Sequence, residues 1–288
     1  MKLYIDSDPF LKYRPFYEQT QSSNIFLNHW HEVAASALFY LALMLVAPTI
    51  NTFMFGENYT KITKKKLKIN FDIHVVAMVQ SVTSVILCIP MFFHPMLKEN
   101  PVMGTYDFAA FVAAFTSGYF IWDLFYCCVL YFDLFGFQFL FHAVAALVVF
   151  LSTFYPFCAP IIPFFLIFEL STPFVNANWF FSKLPAGAVH DKLFVINGLL
   201  LISTFFFSRI LWGLYAAVKV FVMCWKVKDE VPKIMIGYIF SLNVGLDILN
   251  IFWFSKMIRI AFKKFSPSKP VKPNKEELVT EKQTKKEQ

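Results

Sequence analysis

The stretch "FLIFELSTPFVNANW" (165–179) sets a glutamate, a serine, a threonine and two asparagines against a wall of phenylalanine and leucine. In a soluble core Glu169 would merely be odd; in a lipid bilayer it is an expensive group that calls for a reason. Composition decides between the two. Of 288 residues, 58% are apolar and only 16% are charged, and phenylalanine alone supplies 38, far from the balance of a soluble domain. Several windows of about 20 residues carry one charge or none, the length that crosses a ~30 Å hydrocarbon core. No long polar stretch with its own periodicity is present to make a soluble domain. The chain reads as all-α, a polytopic membrane helix bundle.

Hydropathy predicts about seven crossings, near residues 33–55, 71–93, 108–132, 136–154, 157–181, 193–218 and 234–259. The fifth contains Pro156, Pro160, Pro163 and Pro173 at its start or within it, so it should be short, kinked or partly re-entrant. Residues 1–32 have no apolar core of the kind a signal peptide carries, and read as a luminal N-terminal segment. Residues 33–63 make the first span and a cytosolic loop. From Ser266 onward Pro, Lys and Glu dominate, and residues 265–288 read as a disordered cytosolic tail.

The formal charge of +7 is local. Lys61, Lys64, Lys65, Lys66 and Lys68 form one block and eight lysines after Phe262 form another. An odd number of spans puts both on one side, and lysine bias makes that side cytosolic. Lys226, Lys228 and Lys233 lie in a short loop that the same path makes luminal, against the trend. Neither lysine block is interleaved with aromatics as a nucleic-acid surface would be, so their expected partner is the anionic membrane surface. The chain ends Lys285-Lys286-Glu287-Gln288. Two lysines third and fourth from the end resemble the dilysine signal that returns proteins to the endoplasmic reticulum through the COPI coat. The expected location is therefore the endoplasmic reticulum membrane, with the C-terminus cytosolic.

Within the spans the polar residues fall on shared helical faces. Glu169, Thr172 and Asn176 follow at i, i+3 and i+7; Thr116, Tyr119, Asp123 and Tyr126 share a face, as do Asn243, Asp247 and Asn250. His74 pairs with Ser81 in the second span, His142 follows Gln138 by four residues, and Arg209 sits inside "FFFSRIL". Taken singly, asparagines and threonines read as interhelical glue worth about 0.6–2 kcal/mol per pair. Three acids, an arginine and a histidine together point instead to a polar chamber, expected to open towards the cytosol, with Arg209 paired to Glu169, Asp123 or Asp247. Pro173 also removes the backbone bond to the carbonyl of Glu169, leaving an acceptor to be satisfied nearby.

Other chemistry finds little footing. "HWHE" (29–32) invites a metal, but residues at i and i+2 do not face together on a helix, and no metal or cofactor is expected. His190-Asp191 reads as a solvated loop. The five cysteines lie in or beside apolar stretches with no disulfide framework and no CxxC spacing. There is no GxSxG, P-loop, HExxH or histidine-box set.

"GYFIWDLFY" (118–126), "FHAVAAL" (141–147), "FELSTPFVNANWFF" (168–181), "FSRIL" (207–211) and "LNIFWFSKMIR" (249–259) occur in an order and spacing that resembles the TLC domain, the TRAM, Lag and CLN type. The third stretch resembles most closely the small transmembrane members of that family, fungal ones included. The resemblance covers about residues 64–264 and implies a six-helix bundle around a central cavity, with one span added at the N-terminus. Carried over, it makes Asp123, His142, Glu169, Asn176, Arg209 and Asn250 the polar positions of that cavity. Together with the residues read from the helical faces, the expected lipid-cavity set is His74, Asp123, His142, Glu169, Thr172, Asn176, Arg209, Asp247 and Asn250.

One departure matters: ceramide synthases carry two adjacent histidines where this chain has His142-Ala143, and a further acidic motif that is not found here. Acyl transfer needs a base held against an activated nucleophile or carrier, so any catalysis would rest on His142 with Asp123 orienting it. The expected role is therefore binding, sensing or homeostasis of membrane lipids, with membrane lipids as the partners. The alternatives are an acyl-CoA-dependent N-acyltransferase of ceramide-synthase type and a cargo receptor for membrane proteins.

Overall fold

A computed structural model describes residues 2–16 and 22–265, the last two as backbone alone. Lys285 and Lys286 lie outside the described residues. Every regular element among the described residues is helical. The longer helices are α1 (Ile25–Phe55), α2 (Lys65–Met91), α3 (Asp107–Asp123), α4 (Phe137–Ser152), α5 (Ile162–Leu166), α6 (Thr172–Lys183), α7 (Asp191–Phe205), α8 (Trp212–Lys226) and α9 (Lys233–Phe265). π-Helical turns Leu124–Leu130 and Phe206–Leu211 extend α3 and join α7 to α8. A 3₁₀ stretch, Ile167–Ser171, joins α5 to α6.

Six helical paths are long and apolar enough to cross a membrane: Ile25–Phe55, Lys65–Met91, Asp107–Leu130, Ala159–Lys183, Asp191–Lys226 and Lys233–Lys263. The expected fourth crossing is an apolar helix of only 16 residues, Phe137–Ser152. At about 1.5 Å per residue it falls short of the hydrocarbon thickness, so the seven-span path is matched at six places. The fifth expected span is broken, as its prolines require, yet runs helically from Ala159 to Lys183. The first begins earlier than read, at Ile25, capped by the Asn24 side chain, which accepts from the Leu27 N–H at 3.3 Å. Helix α7 likewise has a side-chain cap: His190 Nδ1 accepts from the Lys192 N–H at 3.2 Å, so His190, exposed in the loop as expected, also starts the helix.

The outer faces are apolar, with Leu45, Phe53, Ile86 and Val218 exposed, as lipid contact requires of helices whose backbone groups are satisfied internally. Helix α1 lies along α3. Ser36 Oγ donates to the Phe115 carbonyl at 2.6 Å, and Gly118 lets the backbones touch: a Cβ there would stand 2.5 Å from both Ser36 Cβ and the Val33 carbonyl oxygen. Such small-residue contacts are how membrane helices approach closely. At the end near the 61–68 lysine block, Asp72 Oδ1 accepts from Asn51 Nδ2 at 2.8 Å and from the Tyr59 hydroxyl at 2.7 Å. At the opposite end the N-terminal segment folds back over the bundle. There the Asp6 carbonyl accepts the Phe108 N–H at 3.1 Å, and His94 Nε2 meets Asp6 Oδ1 at 2.8 Å. That hydrogen bond holds the Asp6 carboxyl below the usual carboxylate range.

Gly118→Leu should lower thermal stability in detergent by the equivalent of about 1–3 kcal/mol, the usual cost of overpacking. Gly198→Leu, where a side chain meets open space, serves as the control that should change little.

Candidate functional site

The site is built around a break in a helix. Pro173 stands in the first turn of α6, where its missing N–H costs nothing. The chain before it is tightened into the 3₁₀ stretch Ile167–Ser171. The carbonyl of Glu169, expected to be left open, accepts the Thr172 N–H instead. The acceptor exposed by the break is the neighbouring one: Arg209 Nε donates to the Phe168 carbonyl at 3.1 Å and to Ser171 Oγ at 3.0 Å. Arg209 Nη2 donates to Thr172 Oγ1 at 3.0 Å and lies 3.5 Å from Glu169 Oε1; Nη1 reaches Asn250 Oδ1 at 3.4 Å. The guanidinium also stands 5.2 Å from the Phe205 ring centroid. A cation that cannot shed its proton is thus held by the stubs of one broken helix and by α9. Among the three acids named for it, the charge partner is Glu169.

Arg209 is presented by a π-helical turn, Phe206–Leu211, and Asp123 directly precedes another, Leu124–Leu130. Such turns re-aim side chains inside membrane helices and collect at functional positions. Gly213, one turn past Arg209, clears space on the same side: a Cβ there would stand 3.2 Å from the Phe168 ring and 3.4 Å from Asp247 Oδ1.

Beside this cluster lies a cavity of about 790 Å³, counting the space at its mouth. Its polar pole is His142, Glu169, Arg209 and Asp247, joined by Gln80, Thr116, Tyr119 and Asn243. The rest is apolar, with Ala146, Val149, Phe150, Phe165 and Ile239 prominent. An adjoining apolar pocket shares Val149, Phe150, Phe165 and Ile239 and runs on to Phe157 and Cys158. The chamber therefore extends from mid-bundle towards the loops at 153–158 and 227–232, away from the 61–68 lysine block. The opening was expected towards the lysine block; the lining runs the other way, with Glu169 of the 3₁₀ stretch and Asp247 of α9 at or before the midpoints of the Ala159–Lys183 and Lys233–Lys263 paths.

Four of the nine predicted cavity residues line it: His142, Glu169, Arg209 and Asp247. Thr172 and Asn250 stand behind them as ligands of Arg209. His74 and Asn176 form a pair of their own, His74 Nδ1 to Asn176 Oδ1 at 2.8 Å, with Trp179 packed on the imidazole at 4.0 Å between ring centroids. Asp123 faces Cys127 one turn along its own helix and is not among the lining residues. His142 sits between the rings of Phe120 and Trp253, at 5.8 and 5.7 Å. Among the described residues no hydrogen bond joins it to Asp123, so the expected His142–Asp123 dyad is not formed. Gln80 was missed because only its partner, the Tyr40 hydroxyl on α1, fixes where its amide points.

The TLC domain family matches residues 70–259, and the chain belongs to it. It is 44% identical over 251 residues to the Saccharomyces cerevisiae protein named topoisomerase I damage affected protein 4, covering 86% of this chain and 89% of that one. An uncharacterised TLC domain-containing protein of Schizosaccharomyces pombe is 35% identical over 80% of this chain and 78% of its own. Human TLC domain-containing protein 4 is 31% identical over 70% and 77%. No solved structure matches the chain.

A double-mutant cycle on thermal stability in detergent should give a coupling of about 1–3 kcal/mol between Arg209→Met and Glu169→Gln. Pairing Arg209→Met with Asp123→Asn should be additive to about 0.5 kcal/mol. Stronger coupling to Asp123 or Asp247 than to Glu169 would overturn the assignment.

Proposed function

We propose that this multi-pass TLC-domain protein binds a membrane lipid in the central cavity and serves lipid sensing or homeostasis rather than ceramide synthesis. One observation carries the reading: an apolar chamber ends in a fixed cluster of charged groups. Its few polar groups converge at one end, as orientation of an amphipathic ligand demands. The acyl chain would lie along Val149, Phe150, Phe165 and Ile239, with the polar head at Glu169, Arg209 and Asp247. Against turnover stand the single histidine of the 142–143 pair and the missing hydrogen bond between His142 and Asp123. His142 does line the cavity, which keeps acyl-CoA-dependent N-acyl transfer as the second reading.

Lipids co-purifying with the detergent-solubilised protein, identified by mass spectrometry, test the first reading. Ala146→Trp fills the apolar part of the cavity and should reduce bound lipid at least several-fold while the protein remains folded. Unchanged lipid content would overturn the assignment. The same preparation, given labelled acyl-CoA and a sphingoid base, should show no product. Turnover that falls by a factor of about 10² in His142→Ala would establish the second reading instead.

Residence in the endoplasmic reticulum with a cytosolic C-terminus belongs to the same proposal, supported by the lysine blocks and the terminal Lys285-Lys286 pair. A glycosylation acceptor fused after Gln288 should stay unmodified; its modification would invert the orientation.

A further inference from the structure

The N-terminal segment meets the first turns of α1 in a cluster that the lipid cavity does not use. His29 and Glu32, one turn apart on α1, face Asp8 of the N-terminal segment. His29 Nδ1 lies 2.9 Å from Glu32 Oε2 and 3.2 Å from Asp8 Oδ2. The three side chains are almost fully enclosed, with relative exposures of 4% for His29, 4% for Glu32 and 0% for Asp8. One ligand atom from each lies within 4.8 Å of the others.

Hydrogen bonding alone accounts poorly for this arrangement. A single ring N–H can be directed at one oxygen, and it is directed at Glu32 Oε2. Asp8 Oδ2 faces the same nitrogen with no hydrogen bond of its own, and Glu32 Oε1 is buried without one as well. Two enclosed carboxylates with unsatisfied oxygens repel one another unless a cation or a proton stands between them. Of the neighbouring charged groups, Arg14 donates to Asn28 Oδ1, and His31 Nε2 is 3.3 Å from the Phe10 carbonyl and 3.6 Å from Glu32 Oε1, beyond hydrogen-bond distance of that oxygen.

We propose that Asp8, His29 and Glu32 form a binding site for a divalent transition-metal ion, best suited to zinc, that fastens the N-terminal segment to α1. One imidazole and two carboxylates are zinc donors, and bonds of 2.0–2.2 Å in a tetrahedral site set donor atoms about 3.3 Å apart. The measured separations of 2.9 and 3.2 Å lie close to that edge. A divalent charge neutralises both carboxylates, and a neutral imidazole offers Nδ1 as ligand instead of a proton. Three protein ligands leave a fourth position for water. The ion would close a clasp whose other contacts are His94 to Asp6 and the Phe10 ring on Phe111, 5.4 Å between centroids. The sequence concealed the site because "HWHE" offers its ligands at i and i+3, not i and i+2, and the third comes from 21 residues upstream.

The test uses the full chain purified in detergent, stripped with a chelator and titrated with zinc ions alone. Wild type should bind one zinc per chain, and its melting temperature should rise with zinc as ligation to the folded state requires. Asp8→Asn and Glu32→Gln should each weaken zinc binding at least tenfold and abolish the shift, whereas His190→Ala should leave both unchanged. Cobalt added to stripped wild type should give the visible spectrum of a tetrahedral N,O site, a readout that needs no variant to fold. Zinc binding that is absent, or equally strong in Asp8→Asn and Glu32→Gln, or an octahedral cobalt spectrum, would overturn the proposal.

Discussion

A guanidinium buried in an apolar bundle sets the terms for the rest of this structure. Arg209 keeps its charge under all ordinary conditions, so the fold must supply acceptors for its donors or leave them stranded at a cost of several kcal/mol. The supply comes from a helix that cannot close its own hydrogen bonds. Pro173 and the 3₁₀ stretch before it present the Phe168 carbonyl, Ser171 and Thr172 to one side, and Glu169 adds the counter-charge. The two defects satisfy each other. A broken helix and an intramembrane cation, each unfavourable alone, become a joint that binds three segments of the bundle.

The joint also explains why a cavity survives beside it. Arg209 is held from behind by Thr172, Ser171 and Asn250 and in turn pairs with Glu169, and both line the chamber. Gly213 removes a side chain that would otherwise press on Phe168 and Asp247. The apolar wall beyond is made of side chains on α4, α5 and α9, with Val149, Phe150, Phe165 and Ile239 prominent. A chamber with one rigid polar end suits recognition of an amphipathic molecule.

The N-terminal segment works by a different principle. Its polar contacts gather at the end of the bundle opposite the 61–68 lysine block, where His94 stacks on Tyr106 with 3.6 Å between ring centroids and meets Asp6. Asp8 is drawn into the same region against His29 and Glu32. Such a clasp orders an extended chain that buries little apolar surface, which requires strong local interactions to offset the entropy of fixing it.

Apolar windows of bilayer length, the proline-broken fifth segment and the shared polar faces around Glu169, Asp247 and His142 were legible in the sequence, because helical periodicity and the cost of burying charge act locally. The same local logic named Glu169 as one of three partners for Arg209 and could go no further. Which acid answers the arginine, which residues leave the cavity to pair among themselves as His74 and Asn176 do, and that Asp123 stays apart from His142 depend on helix rotation and on π-helical turns, which no residue spacing encodes. The course of the chamber's lining was not legible for a related reason: it depends on how α4, α5 and α9 come together. Asp8 and His29, 21 residues apart in sequence, meet only in the tertiary structure. Composition and periodicity determined that the chain is a membrane helix bundle and which residues are out of place in lipid; only the tertiary packing decided what those residues are in place for, because contacts between distant segments are fixed by the whole bundle at once.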